Sequence, residues 1–126
     1  MGPPTIYPTG VTVYNPEKCW NGFTIFQALE VGAVLMNMNG RENKVWKGVH
    51  GFPNKIFPGG YLMTSRGSRD GRYGVQDGLD LVQIDWDGNV VWKFDRNEYI
   101  EDPGIPGRWM ARSHHDYQRE GSTTGY

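Results

Sequence analysis

The sequence has a single cysteine, no long apolar run and almost no net charge. Because Cys19 stands alone among 126 residues, the chain cannot form an internal disulfide, and this residue is expected to be a small buried hydrophobe. No segment approaches the roughly 20 consecutive apolar residues that a membrane-spanning helix needs. The formal charge of -1, with no basic stripe, argues against a nucleic-acid partner.

The first residues, Met1 to Pro4, also lack the basic and apolar regions of a signal peptide. The expectation is therefore a cytoplasmic location, favoured over a periplasmic one reached by processing. Residues 1–10, with three prolines, are predicted to form an irregular arm.

Glycine, proline and aromatic residues are abundant, and their distribution predicts an all-β protein. The 18 glycines and 8 prolines mark turns between short runs of β-branched and aromatic residues. Asn39-Gly40 and Asp87-Gly88 are hairpin turn signals, because these residue types tolerate positive φ. Loops are predicted at 65–78 and 95–109, and strands at 11–14, 23–26, 33–38, 44–46, 54–57, 61–64, 80–86 and 89–94.

These hairpins repeat along the chain. Gly40 and Gly88 are 48 positions apart and Gly22 and Gly60 are 38 apart. Trp46 and Trp92 are 46 apart, which predicts two extra residues in the first turn. A period of roughly 40–50 residues with four short strands is typical of β-propeller blades. Two blades are predicted, near 11–46 and 53–92, and a sandwich of unrelated hairpins is the alternative.

The same phasing aligns 53–60 with 114–121, so that a third blade is predicted to start near residue 113. His114 and His115 would open its first strand, at the mouth of the central channel. Two blades and part of a third cannot close a ring. The expected partner is therefore a complementary chain, the remainder of the propeller, or further copies of this chain.

Residues 113–121, called the histidine stretch here, concentrate the groups that can move protons or bind anions. Two of the three histidines lie here, beside an aspartate, a tyrosine, an arginine and a glutamate. The third, His50, is interpreted as a solvated turn residue. Arg66, Arg69, Asp70 and Arg72 are interpreted as a solvated loop.

Several segments resemble the aryl-sulfate sulfotransferase family: 8–18, 52–55 with 58–60, 85–92, and above all His114-His115-Asp116. The resemblance implies a six-bladed propeller that transfers a sulfuryl group from an aryl sulfate to a phenol through a sulfo-histidine. It implies no cofactor and no nucleotide donor. The family's nucleophilic histidine lies in a later blade and has no counterpart here, so the nucleophile would lie outside this chain.

The chemistry of such a reaction assigns roles to the stretch. His114 or His115 would donate to a sulfate oxygen or the leaving phenolate, and Asp116 would fix a histidine tautomer. Arg112 and Arg119 would clamp the anion, while Tyr117 and Trp109 would contact the aromatic substrate. Because side chains alternate along a strand, only one histidine should face the substrate. The side shared by Tyr117 and His115 would then pack between blades.

Three alternatives stay open. A lyase or hydrolase could use the same channel on another aromatic substrate, with a histidine as acid and base. A non-catalytic propeller module would use both histidines structurally. A metal site built from the two histidines and Asp116 is disfavoured, because adjacent residues on a strand rarely bind one ion.

Overall fold

A computed structural model of the chain describes residues 11–74 and 77–119. The described part is antiparallel β-sheet with one four-residue helix, which confirms the prediction of an all-β protein. The strands and the helix α1 are β1 (Phe23–Ala28), β2 (Gly32–Asn37), β3 (Glu42–Lys47), β4 (Lys55–Phe57), β5 (Tyr61–Thr64), α1 (Gly71–Gly74), β6 (Val82–Ile84), β7 (Val90–Lys93), β8 (Glu98–Asp102) and β9 (Ile105–Met110).

The strands form three sheets in which neighbours in the sequence are neighbours in space. Sheet 1 is β1-β2-β3, sheet 2 is β4-β5-β6-β7, and β8-β9 is a separate hairpin. The predicted arm at 1–10 and the histidine stretch from Glu120 onward lie outside the described residues. No helix in the described part is long and apolar enough to cross a membrane.

The predicted repeat is visible in the register of the two sheets. Each outer hairpin has a β-bulge at the same place, between Leu35 and Met36 in sheet 1 and between Gln83 and Ile84 in sheet 2. These positions differ by 48 residues. The offset of 38 residues between β1 and β5 is also observed. Ile25 of β1 pairs with Leu35, and Met63 of β5 pairs with Gln83, which is the counterpart of Leu35.

The turns of the two hairpins use the same hydrogen bonds. The Asn37 side-chain oxygen accepts from the Asn39 and Arg41 amides, at 3.0 Å each. Asp85 accepts from the amides of residues 87 and 89 at 2.9 and 2.8 Å. Gly40 and Gly88 take φ values of 73° and 92°, which glycine adopts without steric cost. Local turn chemistry therefore fixes both hairpins.

The predicted equivalence of Trp46 and Trp92 is wrong. Leu35 pairs with Lys44 just as Gln83 pairs with Trp92, so the counterpart of Trp92 is Lys44. The two turns are of equal length, and Phe94 takes the position of Trp46. The error came from aligning identical residue types instead of the strand register.

Sheets 1 and 2 share one hydrophobic core. Trp46 is 3% exposed and packs edge-to-face on Trp86, with ring centroids 5.3 Å apart. Its Nε1 donates to the Asp85 carbonyl oxygen at 3.2 Å, which ties sheet 1 to sheet 2. The buried residues of the core are Ala33, Leu35, Trp46, Val49, Leu62, Val82 and Ile84.

Three predicted elements differ from the structure. Residues 11–14 form no strand, although they are rich in β-branched residues. The predicted loop 95–109 is instead the hairpin β8–β9, because Pro103-Gly104 makes a tight turn with Gly104 at φ 76°. The described part of the histidine stretch forms only an isolated bridge between His114 and Asp116, not the predicted strand.

Candidate functional site

The histidine stretch is held in place by backbone hydrogen bonds to the end of the long loop that precedes β6. The Ala111 amide donates to the Leu79 carbonyl at 3.0 Å, and the Arg112 amide donates to the Gly78 carbonyl at 3.0 Å. The Gly78 amide donates in return to the Ser113 carbonyl oxygen at 2.8 Å. A Cβ at Gly78 would clash with the Ser113 hydroxyl and crowd the Asp80 carbonyl oxygen at 3.2 Å, so glycine suits this close approach.

This contact brings His114 to Asp77. The His114 Nδ1 lies 2.8 Å from Asp77 Oδ1, and the Asp77 side chain is only 12% exposed. The His114 side chain is 44% exposed, so the imidazole is held on one side and reachable on the other. A carboxylate on Nδ1 favours the tautomer with a proton there and leaves Nε2 to face a reacting group.

Two arginines also approach Asp77. Arg69 Nη1 lies 3.1 Å and Arg112 Nε lies 3.7 Å from Asp77 Oδ2. Burial raises the pKa of Asp77, but the hydrogen bonds from His114 and Arg69 and the charge of Arg112 outweigh it, so the pKa lies below its usual value. Asp77 is therefore a carboxylate at neutral pH.

Arg69 is itself fixed by the hairpin β8–β9. Its guanidinium binds the Asp102 carboxylate through two nitrogens, with Nε 2.8 Å from Oδ2. The hydrogen bond to Asp102 raises the pKa of Arg69, and the same contact lowers the pKa of Asp102. The interpretation of Arg69 as a solvated loop residue is wrong, since its side chain is 15% exposed.

The charges around His114 nearly cancel. Arg112 Nη1 lies 3.1 Å from Glu98, so two guanidinium groups face three carboxylates, those of Asp77, Glu98 and Asp102. The cluster is better suited to orienting a proton-transferring histidine than to clamping an anion.

His114 and His115 do not point to opposite sides, as strand alternation predicts. His115 has φ 64°, and the Asp116 amide donates to the His114 carbonyl at 2.8 Å, which makes a γ-turn centred on His115. The two imidazole rings stack with centroids 4.0 Å apart and planes at 15°. The edge of Phe52 contacts His115 at 5.4 Å between centroids. The turn reverses the alternation, so both rings lie on one side.

Asp116 and Tyr117 contact the start of sheet 2. Lys55 Nζ lies 2.5 Å from Asp116 Oδ1, and its hydrogen bond lowers the pKa of that carboxyl. The Tyr117 hydroxyl donates to the carbonyl oxygens of Pro53 and of Met63, the latter at 3.0 Å. Burial raises the pKa of the phenol. Asp116 therefore binds Lys55 and does not orient a histidine. The Tyr117 hydroxyl uses its proton in hydrogen bonds to the protein backbone.

The remaining two predicted site residues lie apart from His114. Arg119 Nη1 donates to Gln83 Oε1 at 2.8 Å, and its guanidinium lies 4.5 Å above the Trp92 ring. Trp109 is 66% exposed on β9 and contacts Tyr99 with centroids 5.4 Å apart. Their assignment as substrate-binding residues stays a prediction.

Sequence reasoning missed Asp77, Arg69 and Lys55. The signal for Asp77 was the charge-rich loop 65–78, which is long enough to carry function. Its pairing with His114 depends on tertiary contacts that no local pattern encodes. Within 11–74 and 77–119, no group of three or more histidine, cysteine or carboxylate side chains could hold a metal ion.

No protein family, curated protein or solved structure matches this chain. The resemblance to aryl-sulfate sulfotransferases therefore stays a prediction. The His114–Asp77 pair is the feature on which a functional proposal can be built.

The lowered pKa of Asp77 predicts a pH-dependent stability. A carboxyl whose pKa is lower in the folded state stabilises the protein above its unfolded value, and this contribution is lost as the pH falls through the folded value. We expect Asp77→Asn to lower the melting temperature most near neutral pH. The difference from the wild type should shrink as the pH falls below about 4, where the unfolded carboxyl becomes protonated.

The matched control is Asp87→Asn, in an exposed turn. Thermal unfolding of both variants and the wild type from about pH 7 to about pH 3 makes the comparison. A difference for Asp77→Asn that stays constant over this range would contradict the assignment of Asp77 as a stabilising carboxylate.

Proposed function

We propose that this chain forms part of a β-propeller enzyme that resembles aryl-sulfate sulfotransferases and transfers a sulfuryl group from an aryl sulfate to a phenol. The observation that supports a catalytic role is the 2.8 Å contact between His114 Nδ1 and Asp77 Oδ1, with the imidazole partly exposed. A histidine oriented in this way is the usual acid–base group at neutral pH.

The architecture supports the propeller part of the proposal. Sheets 1 and 2 are successive antiparallel meanders with a 48-residue repeat in their outer hairpins, and they pack through a shared core. The same arrangement, repeated further, is how propeller blades follow one another. The ring would be completed by the remainder of the propeller, by a complementary chain or by further copies.

In the proposed reaction the bond between sulfur and the donor's aryl oxygen breaks, and the departing phenolate takes a proton from His114 Nε2. A bond then forms between sulfur and the acceptor oxygen, and the acceptor phenol gives up its proton to the same nitrogen. Asp77 stabilises the imidazolium form of His114, which exists before the first proton transfer and again after the second, whereas the imidazole between the two steps is neutral. The resemblance assigns the sulfuryl-carrying nucleophile to a histidine outside this chain.

The test uses the purified native particle with a chromogenic aryl sulfate and a phenol acceptor. We expect release of the aryl phenol that depends on the acceptor, together with the sulfated acceptor detected by mass spectrometry. A particle that leaves the aryl sulfate unchanged in the presence of acceptor would refute the proposal.

The balance of charge favours a second candidate. Because the arginines around His114 are matched by carboxylates, the cluster does not select an anionic substrate by charge. The same His114–Asp77 pair could serve a lyase or hydrolase that acts on a neutral aromatic substrate. Consumption of such a substrate without an acceptor, combined with inertness toward aryl sulfates, would favour this second function.

A further inference from the structure

The equivalent faces of sheets 1 and 2 point in the same direction. A cross-strand row of Ile25, Leu35 and Lys44 lies on the face of sheet 1 that packs against sheet 2. By the shared register, its counterpart in sheet 2 is the row of Met63, Gln83 and Trp92. That second row lies on the face of sheet 2 that points away from sheet 1.

No sheet in the described part of the chain covers this outer face of sheet 2. The end of the histidine stretch lies on it instead. Tyr117 donates to the Met63 carbonyl, and Arg119 contacts both Gln83 and Trp92. The Gln83 Nε2 is buried and has no hydrogen-bond partner among the described residues, so this face includes a polar group whose hydrogen bond is not made there.

In the described part of the chain, no other sheet packs on the opposite face of sheet 1. Phe26, Val34 and Val45 form a cross-strand row on the side away from the core. The counterpart of Val34 in sheet 2 is Val82, which is fully buried in the shared core. Among the described residues no second sheet packs on either of these two faces, although Val34 is 7% exposed and Met63 is 0% exposed, and Arg119 contacts the sheet 2 face. The contact between sheets 1 and 2 shows how two such faces would join.

In the described part of the chain, sheet 1 also has one strand fewer than sheet 2. In sheet 2, β4 pairs with β5, and β1 is the counterpart of β5 in sheet 1. No described strand pairs with the outer edge of β1. The sequence phasing that aligns 53–60 with 114–121 predicts that 116–118 is the counterpart of β4, with Tyr117 aligned with Ile56. Ile56 packs in the core between the sheets, and the Tyr117 hydroxyl donates to the carbonyl oxygens of Pro53 and of Met63 in sheet 2.

We propose that residues 116–118 of one copy of this chain pair with β1 of a second copy and complete its three-stranded sheet. The contact places the outer face of sheet 2 of one copy against the face of sheet 1 of the next copy that points away from its core. The register follows from β4, where Lys55, Ile56 and Phe57 pair with Met63, Leu62 and Tyr61. Gln118 should therefore lie opposite Phe23 of the next copy.

This contact is head-to-tail, because each copy uses a different surface from the one its neighbour uses. Copies therefore add in one direction until the rotation between neighbours closes a ring. It also buries the exposed edge of β1, which otherwise is a template for uncontrolled strand pairing. The assembly does not depend on which reaction the histidine stretch supports.

The first test measures the mass of the purified chain by size-exclusion chromatography with light scattering. We expect a discrete particle containing two or more chains of 14.3 kDa each. A monodisperse monomer would overturn the proposal. A particle in which a different polypeptide is present instead of further copies would overturn it as well.

The second test traps the predicted register with cysteines in a Cys19→Ser background. Phe23 and Gln118 are both exposed, so Phe23→Cys and Gln118→Cys should leave the fold intact. When the two single variants are co-expressed and oxidised, we expect a disulfide-linked dimer containing one chain of each, because opposed Cβ atoms on paired strands lie about 4.5–5.5 Å apart. Each variant expressed by itself should give none.

The matched control pairs Gln118→Cys with Val91→Cys, which is an equally exposed strand position on β7. This pair should not cross-link. If Phe23→Cys and Gln118→Cys fail to link, or if they link only when both are placed in one chain and the product is monomeric, the second copy is not the occupant of the β1 edge.

Discussion

Replacing His114 by alanine is expected to lower kcat/KM for an aryl sulfate by roughly 10²–10⁴, the range for one acid–base group. The imidazole is the more exposed member of the His114–Asp77 pair. Its removal eliminates the proton donor while Asp77 keeps Arg69 and Arg112 as partners. The fold should survive, because a half-exposed side chain contributes little packing. Steady-state kinetics on the assembled particle measure the effect.

His50→Ala is the matched control, since His50 is the third histidine and contacts the scaffold through its backbone amide. It should leave kcat/KM unchanged. His115→Ala should have an intermediate effect, because His115 stacks on the His114 ring and holds it in place. Full activity of His114→Ala in the assembled particle would show that the histidine stretch is scaffold.

Replacing Trp46 by alanine is expected to lower the free energy of unfolding by about 3–5 kcal/mol, the range for a large aromatic side chain in a packed core. Trp46 is 3% exposed, contacts Trp86, and donates to the Asp85 carbonyl at 3.2 Å. The truncation therefore leaves a cavity between the two sheets and removes a hydrogen bond that joins them.

Trp109→Ala provides the same chemical change at a position that is 66% exposed, and it should cost less than about 1 kcal/mol. Urea unfolding at one fixed protein concentration compares the three proteins, because association would stabilise all of them. Equal losses for the two variants would contradict the assignment of Trp46 to the core between the sheets.

The hairpins of the fold could be predicted from the sequence because their determinants are local. Asn39-Gly40 and Asp87-Gly88 carry the turn residues and the side-chain acceptors that close each turn within five residues. The separate hairpin β8–β9 was missed for the opposite reason. Its strands contain Pro106 and several charged residues, which sequence patterns associate with loops.

The candidate site was predicted only in part. His114 was found because ionisable residues cluster around it in the sequence. The orientation of His115 was not, because a positive φ at a histidine cannot be deduced from neighbouring residues. Asp77 lies 37 positions from His114, and their contact depends on how the loop before β6 meets the histidine stretch. Such a pairing is a property of the tertiary structure.

The sequential order of strands within each sheet bears on how the chain reaches its native state. Within sheets 1 and 2 each strand pairs with the next one along the sequence. Most of these pairings close only a short turn, whose entropic cost is small, and the exception is the long loop between β5 and β6. The contacts that join the sheets to each other and to the histidine stretch link residues much further apart in the sequence. Trp46 and Asp85 are separated by 39 positions, and Lys55 and Tyr117 by 62. We therefore expect the strands within each sheet to pair before the two sheets pack together. The packing of the sheets is then the slower step.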